Sequence, residues 1–157
     1  MSAHRPGRIA RWLLRAPARL YDWHAGWLLG HWFVRLTHVG RRSGRRYQTM
    51  LEVVGTSRDG AVTVMAGFGT STDWFRNVQA HPAAEVAIGR RRFQPVCRML
   101  DEREAMAVMA DYERRNRWMA PVVRRGLSWL AGWPYDSSDD ARQRLVRQLP
   151  LLEFQPR

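Results

Sequence analysis

The stretch Gly40-Arg41-Arg42-Ser43-Gly44-Arg45-Arg46 is a basic segment with a glycine at its start and another inside it. The runs on either side, 31–39 and 47–54, are rich in β-branched and aromatic residues, as strands are. We therefore predict a loop that joins two strands. Glycines permit positive φ, and the arginines and serine add hydrogen-bond donors, so the composition is that of an anion cradle. A polar hairpin whose arginines are only solvated fits the composition equally well.

Length and composition predict one packed domain that attracts anions. The 157 residues are 45% hydrophobic and include 8 Trp, which suits a single core. The net charge is +12, and all 26 basic residues are arginine. Arginine binds phosphate and carboxylate oxygens in bidentate fashion, so a phosphorylated cofactor, nucleic acid or an acidic membrane surface are the candidate partners. Codon bias in a GC-rich genome explains the arginine usage equally well.

Side chains that carry catalysis by themselves are few. Cys97 is the only cysteine, which excludes an internal disulfide and fits a reducing, cytoplasmic location; its apolar neighbours predict a buried strand thiol. We predict no metal site, because the histidines show no ligand pairing, and no nucleophile elbow occurs. An enzyme built from this chain would depend on a bound cofactor. The histidines are His4, His24, His31, His38 and His81.

Residues 1–30 form a basic, amphipathic segment that we predict to be helical and divided at Pro17. Apolar residues recur every three or four positions, at Ile9, Trp12, Leu13, Ala16, Leu20, Trp23 and Trp27. Such a helix either lies on an anionic membrane surface, here the inner face, or docks on its own core. No signal-peptide or membrane-spanning run is found, so we predict a protein that is neither secreted nor transmembrane.

Residues 31–157 predict an α+β fold with a largely antiparallel sheet or barrel. Asp59-Gly60 marks a hairpin, and the glycine-rich loop 67–72 leads into a short helix capped by Thr72 or Asp73. The remaining expectations are a hairpin of strands 85–88 and 91–100, a capping box of Asp101 and Glu104, a helix from Ser138 and a final strand over 151–154.

An ordered set of motifs resembles the deazaflavin-dependent nitroreductase family, whose members use coenzyme F420. The set comprises Leu36-Thr37 to Gly44, Thr49-Met50-Leu51, the Asp59-Gly60 hairpin, the loop Ala66 to Gly69, and Trp74-Phe75-Arg76-Asn77. The similarity runs from about Trp32 to Phe154. It implies a split β-barrel of the flavin-reductase type over 31–157. It also implies hydride transfer from reduced deazaflavin to a small electron-poor acceptor: a quinone, a nitroaromatic or an activated alkene.

The resemblance also implies a binding site for F420, in preference to flavin mononucleotide. By position, Arg41, Arg42, Ser43 and Gly44 match the family's phosphate cradle. Other matched residues would contact the deazaflavin: Thr49, Met50, Leu51, Met65, Ala66, Gly67, Phe68, Gly69, Trp74 and Asn77. Tyr112, Trp118 and Trp133 either line an acceptor pocket or pack in the core.

Three positions depart from the family pattern. Met50 stands where members often carry proline, and Gly67 and Phe68 stand where members carry Ser and then Lys or Asn. Backbone N–H groups of 67–69 could replace the missing side-chain donors. An alternative is a cofactor-free or altered-cofactor binder of a fatty acid or quinone at the membrane. Nucleic acid is not expected, because no helix-turn-helix or RNP pattern occurs. Monomer and homodimer both fit.

Overall fold

The computed structural model describes residues 32–157, so the helix predicted for residues 1–30 lies outside the described residues. Seven strands and four α-helices follow one another along this part of the chain. The order is β1 Phe33–Val39, β2 Arg46–Thr56, β3 Val62–Met65, α1 Asp73–Ala80, β4 Glu85–Ile88, β5 Arg91–Phe93, β6 Pro95–Met99, α2 Glu102–Arg115, a 3-10 turn Arg117–Met119, α3 Ala120–Ala131, α4 Asp139–Gln148 and β7 Leu151–Pro156.

The strands form a nearly closed antiparallel barrel in the order β5-β4-β1-β2-β3-β7-β6. The two outermost strands are consecutive in sequence, since only Gln94 separates β5 from β6. This bent run pairs with β4 through Phe93 and with β7 through Cys97. The α+β prediction is therefore confirmed. The single strand predicted over 91–100 is wrong, because Pro95 lacks a backbone donor and the run changes partner there.

The hairpin of β1 and β2 positions the basic loop, as predicted. Leu36 lies opposite Thr49, and His38 lies opposite Tyr47. Opposed residues of an antiparallel pair share one face of the sheet, and residues two apart along a strand share it too. The polar groups of His38 and Thr49 therefore lie on the same face as the fully buried Leu36.

Two apolar clusters hold the fold together. The first fills the barrel, with Leu36, Val64 and Phe154 among its fully buried members. The second lies between the helices and the sheet, around Met109 and Leu145. Strand β7 serves both clusters because its side chains alternate in direction.

The predicted helix starts at Asp101 and Ser138 are confirmed. The predicted capping of α1 is wrong, because Thr72 occupies the N-cap position but its hydroxyl donates to Gly69 O at 3.1 Å and makes no cap hydrogen bond. Asp101 Oδ1 accepts from the Glu104 amide at 2.8 Å, while Glu104 Oε2 accepts from the Asp101 amide at 3.0 Å, completing the capping box. Ser138 Oγ accepts from the Ala141 amide at 3.1 Å and begins α4. Within residues 32–157, the helices are too short or too polar to cross a bilayer.

Candidate functional site

A cleft of about 730 Å³ lies between the β1–β2 loop and the first turns of α1. The loop comes from the basic stretch, and α1 follows the glycine-rich loop, so two motifs distant in sequence form one site. The lining residues are His38, Gly40, Arg41, Arg42, Ser43, Tyr47, Gln48, Thr49, Asp73, Trp74 and Asn77.

The loop is closed by its own backbone. The Gly40 amide donates to Arg45 O at 2.8 Å, and the Gly44 amide donates to Gly40 O at 2.9 Å. Gly44 has a φ of +67°, which favours glycine. A Cβ at Gly40 would lie 2.5 Å from Ser43 Oγ and 2.8 Å from Tyr47 Cε2, so only glycine fits without displacement. Both glycines are therefore required by the shape of the loop.

Arg41 fastens the loop to α1. Its amide donates to Asn77 Oδ1 at 3.1 Å, and its Nη1 donates to the same oxygen at 3.0 Å and to Asp73 Oδ1 at 3.1 Å. Arg42 is exposed, and within the described part of the chain its guanidinium has no ion pair or hydrogen bond. The amides of Arg42 and Ser43 also have no protein partner among residues 32–157. The loop thus presents a free cation and two free donors.

Asn77 extends the network to β1 and β2. Because Asn77 Oδ1 accepts from Arg41, its Nδ2 faces His38 and donates to Nδ1 at 3.0 Å. The His38 proton is then on Nε2, which donates to Thr49 Oγ1 at 3.1 Å. Thr49 keeps its own hydroxyl proton for another acceptor, and it lines the cleft. Buried side chains therefore orient a donor toward the cleft.

Burial keeps the imidazole of His38 neutral. His38 is 3% exposed and Asn77 is 4% exposed. Desolvation lowers the pKa of His38, and the charge of Asp73 opposes that shift. Tyr47 stacks on the imidazole at a centroid distance of 6.0 Å, and its hydroxyl lies 3.2 Å from Ser43 Oγ. A neutral His38 can accept from Asn77, which a protonated ring could not.

The structure brings together part of the predicted cofactor set. Arg41, Arg42, Ser43, Thr49, Trp74 and Asn77 line the cleft. Leu51 packs against the barrel core, and Met50 alternates to the opposite face of β2 from Thr49. Gly44 shapes the loop but is not part of the cleft wall.

The residues Met65, Ala66, Gly67, Phe68 and Gly69 lie outside the cleft lining. The Gly67 amide donates to Met65 O and the Gly69 amide to Ala66 O, each at 2.9 Å. The suggestion that backbone amides of 67–69 replace the missing donors is therefore wrong for two of the three, because turns within the loop already use them. The Phe68 ring meets Trp129 edge-on at 5.9 Å.

The three predicted acceptor residues are not together at the cleft. Tyr112 lies on α2 and donates to Glu52 Oε1 at 2.7 Å. Trp133 follows α3, where its Nε1 donates to Gln148 Oε1 at 2.7 Å and Arg144 stacks on its ring at 4.2 Å. Trp118 is in the 3-10 turn and is exposed to solvent. Their role in acceptor binding remains a prediction.

Reactive side chains outside the cleft are few in the described part of the chain. Residues 32–157 contain no group of three or more metal-ligating side chains. Cys97 lies in strand β6, as predicted, but it is half-buried and not fully buried, and it packs against the barrel core. Burial raises its pKa to about 11, so the thiol is a poor nucleophile at neutral pH.

Sequence reasoning missed four lining residues with polar side chains: His38, Tyr47, Gln48 and Asp73. One signal for His38 was available. His38 continues the alternation of Val34 and Leu36 on the inner face of β1, and this pattern predicts that its polar ring is buried beside the loop. Its partner Asn77 could not be inferred from that alternation, because the two residues are 39 positions apart.

Comparison with known proteins identifies the family. The sequence profile described as F420H(2)-dependent quinone reductase matches residues 19–125. The chain belongs to this family. It is accordingly an F420-dependent oxidoreductase, and the resemblance inferred from the motifs is confirmed at that level. A search of curated proteins found no match.

Two solved structures share the fold at low sequence identity, and a third match is more distant in structure. The "heme storsge protein" HutZ from Vibrio cholerae has a TM-score of 0.52 and 15% identity, over 88% of this chain and 90% of that chain. A pyridoxamine 5'-phosphate oxidase-related, FMN-binding protein from Nostoc punctiforme has a TM-score of 0.50 and 17% identity, over 99% and 83%. An F420-H2 dependent reductase, FDR-A, has a TM-score of 0.44 and 20% identity, over 78% and 93%. The predicted split barrel of the flavin-reductase type is confirmed.

Proposed function

We propose that this chain binds coenzyme F420 in the cleft between the β1–β2 loop and α1 and reduces a small electron-poor acceptor. The observation that carries the proposal is the free cation of Arg42 beside two unpartnered loop amides, on a loop whose shape depends on Gly40. Backbone and arginine donors converging in this way suit a phosphate group. When bound, reduced F420 supplies a hydride to the acceptor.

Each residue of the cleft has a distinct task in this proposal. Arg42 and the amides of Arg42 and Ser43 bind the cofactor phosphate. Arg41 holds the loop against α1, because its guanidinium is already engaged by Asp73 and Asn77. Thr49 donates its hydroxyl proton to a polar atom of the cofactor, and His38 fixes that direction. Rigid placement of this kind lowers the cost of orienting the reactants.

The resemblance supports the finer assignments. By that resemblance, Met50, Leu51 and the residues from Met65 to Gly69, which lie outside the cleft lining, contact the part of the deazaflavin that extends beyond the cleft, and Trp74 closes the side next to α1. The acceptor is a quinone, a nitroaromatic or an activated alkene. Most side chains that line the cleft are polar and do not suit the acyl chain of a fatty acid, so we prefer the reductase to the apolar-ligand binder.

The test is titration of the purified protein with oxidised F420 and, separately, flavin mononucleotide, followed by fluorescence quenching. We expect saturable binding of F420 and weaker binding of flavin mononucleotide. Arg42→Gln should weaken F420 binding about tenfold, since a charge-assisted hydrogen bond is lost. Arg58→Gln, an exposed arginine in the β2–β3 turn, is the matched control and should leave the affinity unchanged.

The outcomes separate the site from the function. Unchanged affinity of Arg42→Gln for F420 would refute the assignment of Arg42 to the cofactor phosphate, but it would not refute the proposal that the protein is a reductase. Preference for flavin mononucleotide would refute the cofactor assignment. Binding of F420 without oxidation of its reduced form by quinones, nitroaromatics or activated alkenes would refute the proposed acceptor class.

A further inference from the structure

The outward face of α3 and the preceding 3-10 turn carries large apolar side chains. Trp118 is 75% exposed, Val122 is 62% exposed and Trp129 is 59% exposed. With Arg125 they recur at intervals of four, three and four residues, so they lie on one side of the helix. We call these four residues, Trp118, Val122, Arg125 and Trp129, the α3 face.

The α3 face is not needed to hold the helix in place. Val123, Leu127 and Ala131 point the other way and are buried in the helical cluster. Two tryptophans in water instead leave apolar area uncovered, which is typical of a surface that meets a partner. The face therefore has an apolar contact area in addition to the one that stabilises the fold.

The charge around the α3 face is of one sign. Residues 117–131 include Arg117, Arg124 and Arg125 and no acidic residue. Among the described residues these three guanidinium groups have no ion pair or hydrogen bond. Arg124 and Arg125 also line an open hollow of about 660 Å³ beside the face, with Ser128 and Tyr135.

One acidic group borders this hollow. The side chain of Ser138 lowers the pKa of the Asp136 carboxyl group, as do the Ser138 amide, which donates to Asp136 Oδ1 at 2.9 Å, and the charge of Arg124. The hollow nevertheless keeps an excess of positive charge, because two arginines face one carboxylate. It suits the phosphate of a lipid headgroup next to the tryptophans.

We propose that the α3 face binds the surface of an anionic lipid bilayer. Tryptophan rings favour the boundary between headgroups and acyl chains, and arginines add attraction to anionic lipid. A second copy of this chain is a poorer occupant, because a two-fold contact would bring arginines against arginines. Residues 1–30 are also a poorer occupant, since they contain five Arg and one Asp and would be repelled.

The proposal is independent of the cofactor assignment, because the experiment measures lipid binding alone. The full-length protein is sedimented with vesicles of phosphatidylcholine and phosphatidylglycerol, and with vesicles of phosphatidylcholine only. We expect binding to the anionic vesicles that weakens as salt is raised. Trp118→Ser and the triple variant Arg117→Gln, Arg124→Gln, Arg125→Gln should each weaken it about tenfold.

Matched controls distinguish the contribution of the α3 face to vesicle binding from the contribution of total charge. Residues 1–30 are the same in every variant, so they cannot cause a difference between variants. Trp32→Ser replaces another exposed tryptophan, and Arg58→Gln, Arg90→Gln, Arg103→Gln removes three exposed arginines elsewhere; both should bind as the wild type does. Equal losses in the controls, or unchanged binding in both α3 variants, would overturn the proposal. The proposal would also be overturned if the wild type were a dimer and Trp118→Ser a monomer, because the α3 face would then be a self-association surface. Thermal melts verify that every variant is folded.

Discussion

Asn77 and His38 share a buried hydrogen bond of 3.0 Å although they are 39 positions apart in the chain. The bond joins α1 to β1 at the point where the basic loop begins. Asn77 also accepts two hydrogen bonds from Arg41, so one amide side chain fixes a helix, a strand and a loop. The shape of the cleft therefore depends on the uncharged side chain of Asn77.

Replacing Asn77 by leucine should destabilise the protein strongly. The apolar side chain would leave the buried His38 Nδ1 and the partly buried Arg41 amide without partners, and each such loss costs about 1–3 kcal/mol. We expect the free energy of unfolding in urea to fall by about 2–4 kcal/mol. Gln79→Leu, an exposed position on the same helix, should change it by less than about 0.5 kcal/mol. Equal effects at the two positions would contradict the buried network.

Stability should decrease in acid because of His38. Burial lowers the pKa of His38 in the folded state, whereas in the unfolded chain His38 titrates at about pH 6.5. The unfolded chain therefore takes up a proton first as pH falls, and that proton uptake favours unfolding. The contribution of His38 to the free energy of unfolding is fully present above about pH 6.5 and is lost as the pH falls toward the pKa of His38 in the folded state.

Urea unfolding across the range of about pH 5 to 8 measures this effect. His38→Gln should reduce the loss of stability in acid, while His81→Gln, at an exposed histidine, should retain it. A variant of His38 with the same acid dependence as the wild type would show that other groups cause it.

The same substitution at two glycines should have opposite effects. Gly40→Ala would bring a Cβ to 2.5 Å from Ser43 Oγ and 2.8 Å from Tyr47 Cε2, displacing both and opening the loop. We expect a loss of about 1–3 kcal/mol in unfolding free energy and weaker F420 binding. Gly126→Ala, in α3, meets no atom within 4 Å and should stabilise the protein by about 0.5–1 kcal/mol. Calorimetry of both variants gives the two signs directly.

A partly buried ion pair ties α4 to α2. Arg142 Nη2 lies 2.8 Å from Glu113 Oε2, and both side chains are 12% exposed. The same carboxylate accepts from the Tyr135 hydroxyl, so Glu113→Ala leaves that buried hydroxyl without its partner, while Arg142 keeps only Asp139 and Ser137 O. We expect a loss of about 2 kcal/mol. Asp111→Ala breaks only exposed ion pairs on the same helix and should cost less than about 1 kcal/mol. Similar costs for the two variants, measured by urea unfolding, would refute this ranking.

Local sequence patterns were sufficient for most of the fold. The strands around the basic loop, the Asp101 capping box and the helix start at Ser138 depend on residues within a few positions of one another, so the sequence predicts them directly. The break at Gln94 was missed because the chain changes its pairing partner there from β4 to β7, which is a property of the whole barrel and not of the local sequence.

By itself, the sequence determined the basic glycine loop, the strands that carry it and the family to which the chain belongs. Only the tertiary structure separated Arg42, which is free, from Arg41, which is held by Asp73 and Asn77. The physical reason is that adjacent arginines have the same local pattern, whereas their hydrogen-bond partners come from a helix more than 30 residues further along the chain. Likewise, only packing shows which face of α3 is left in water.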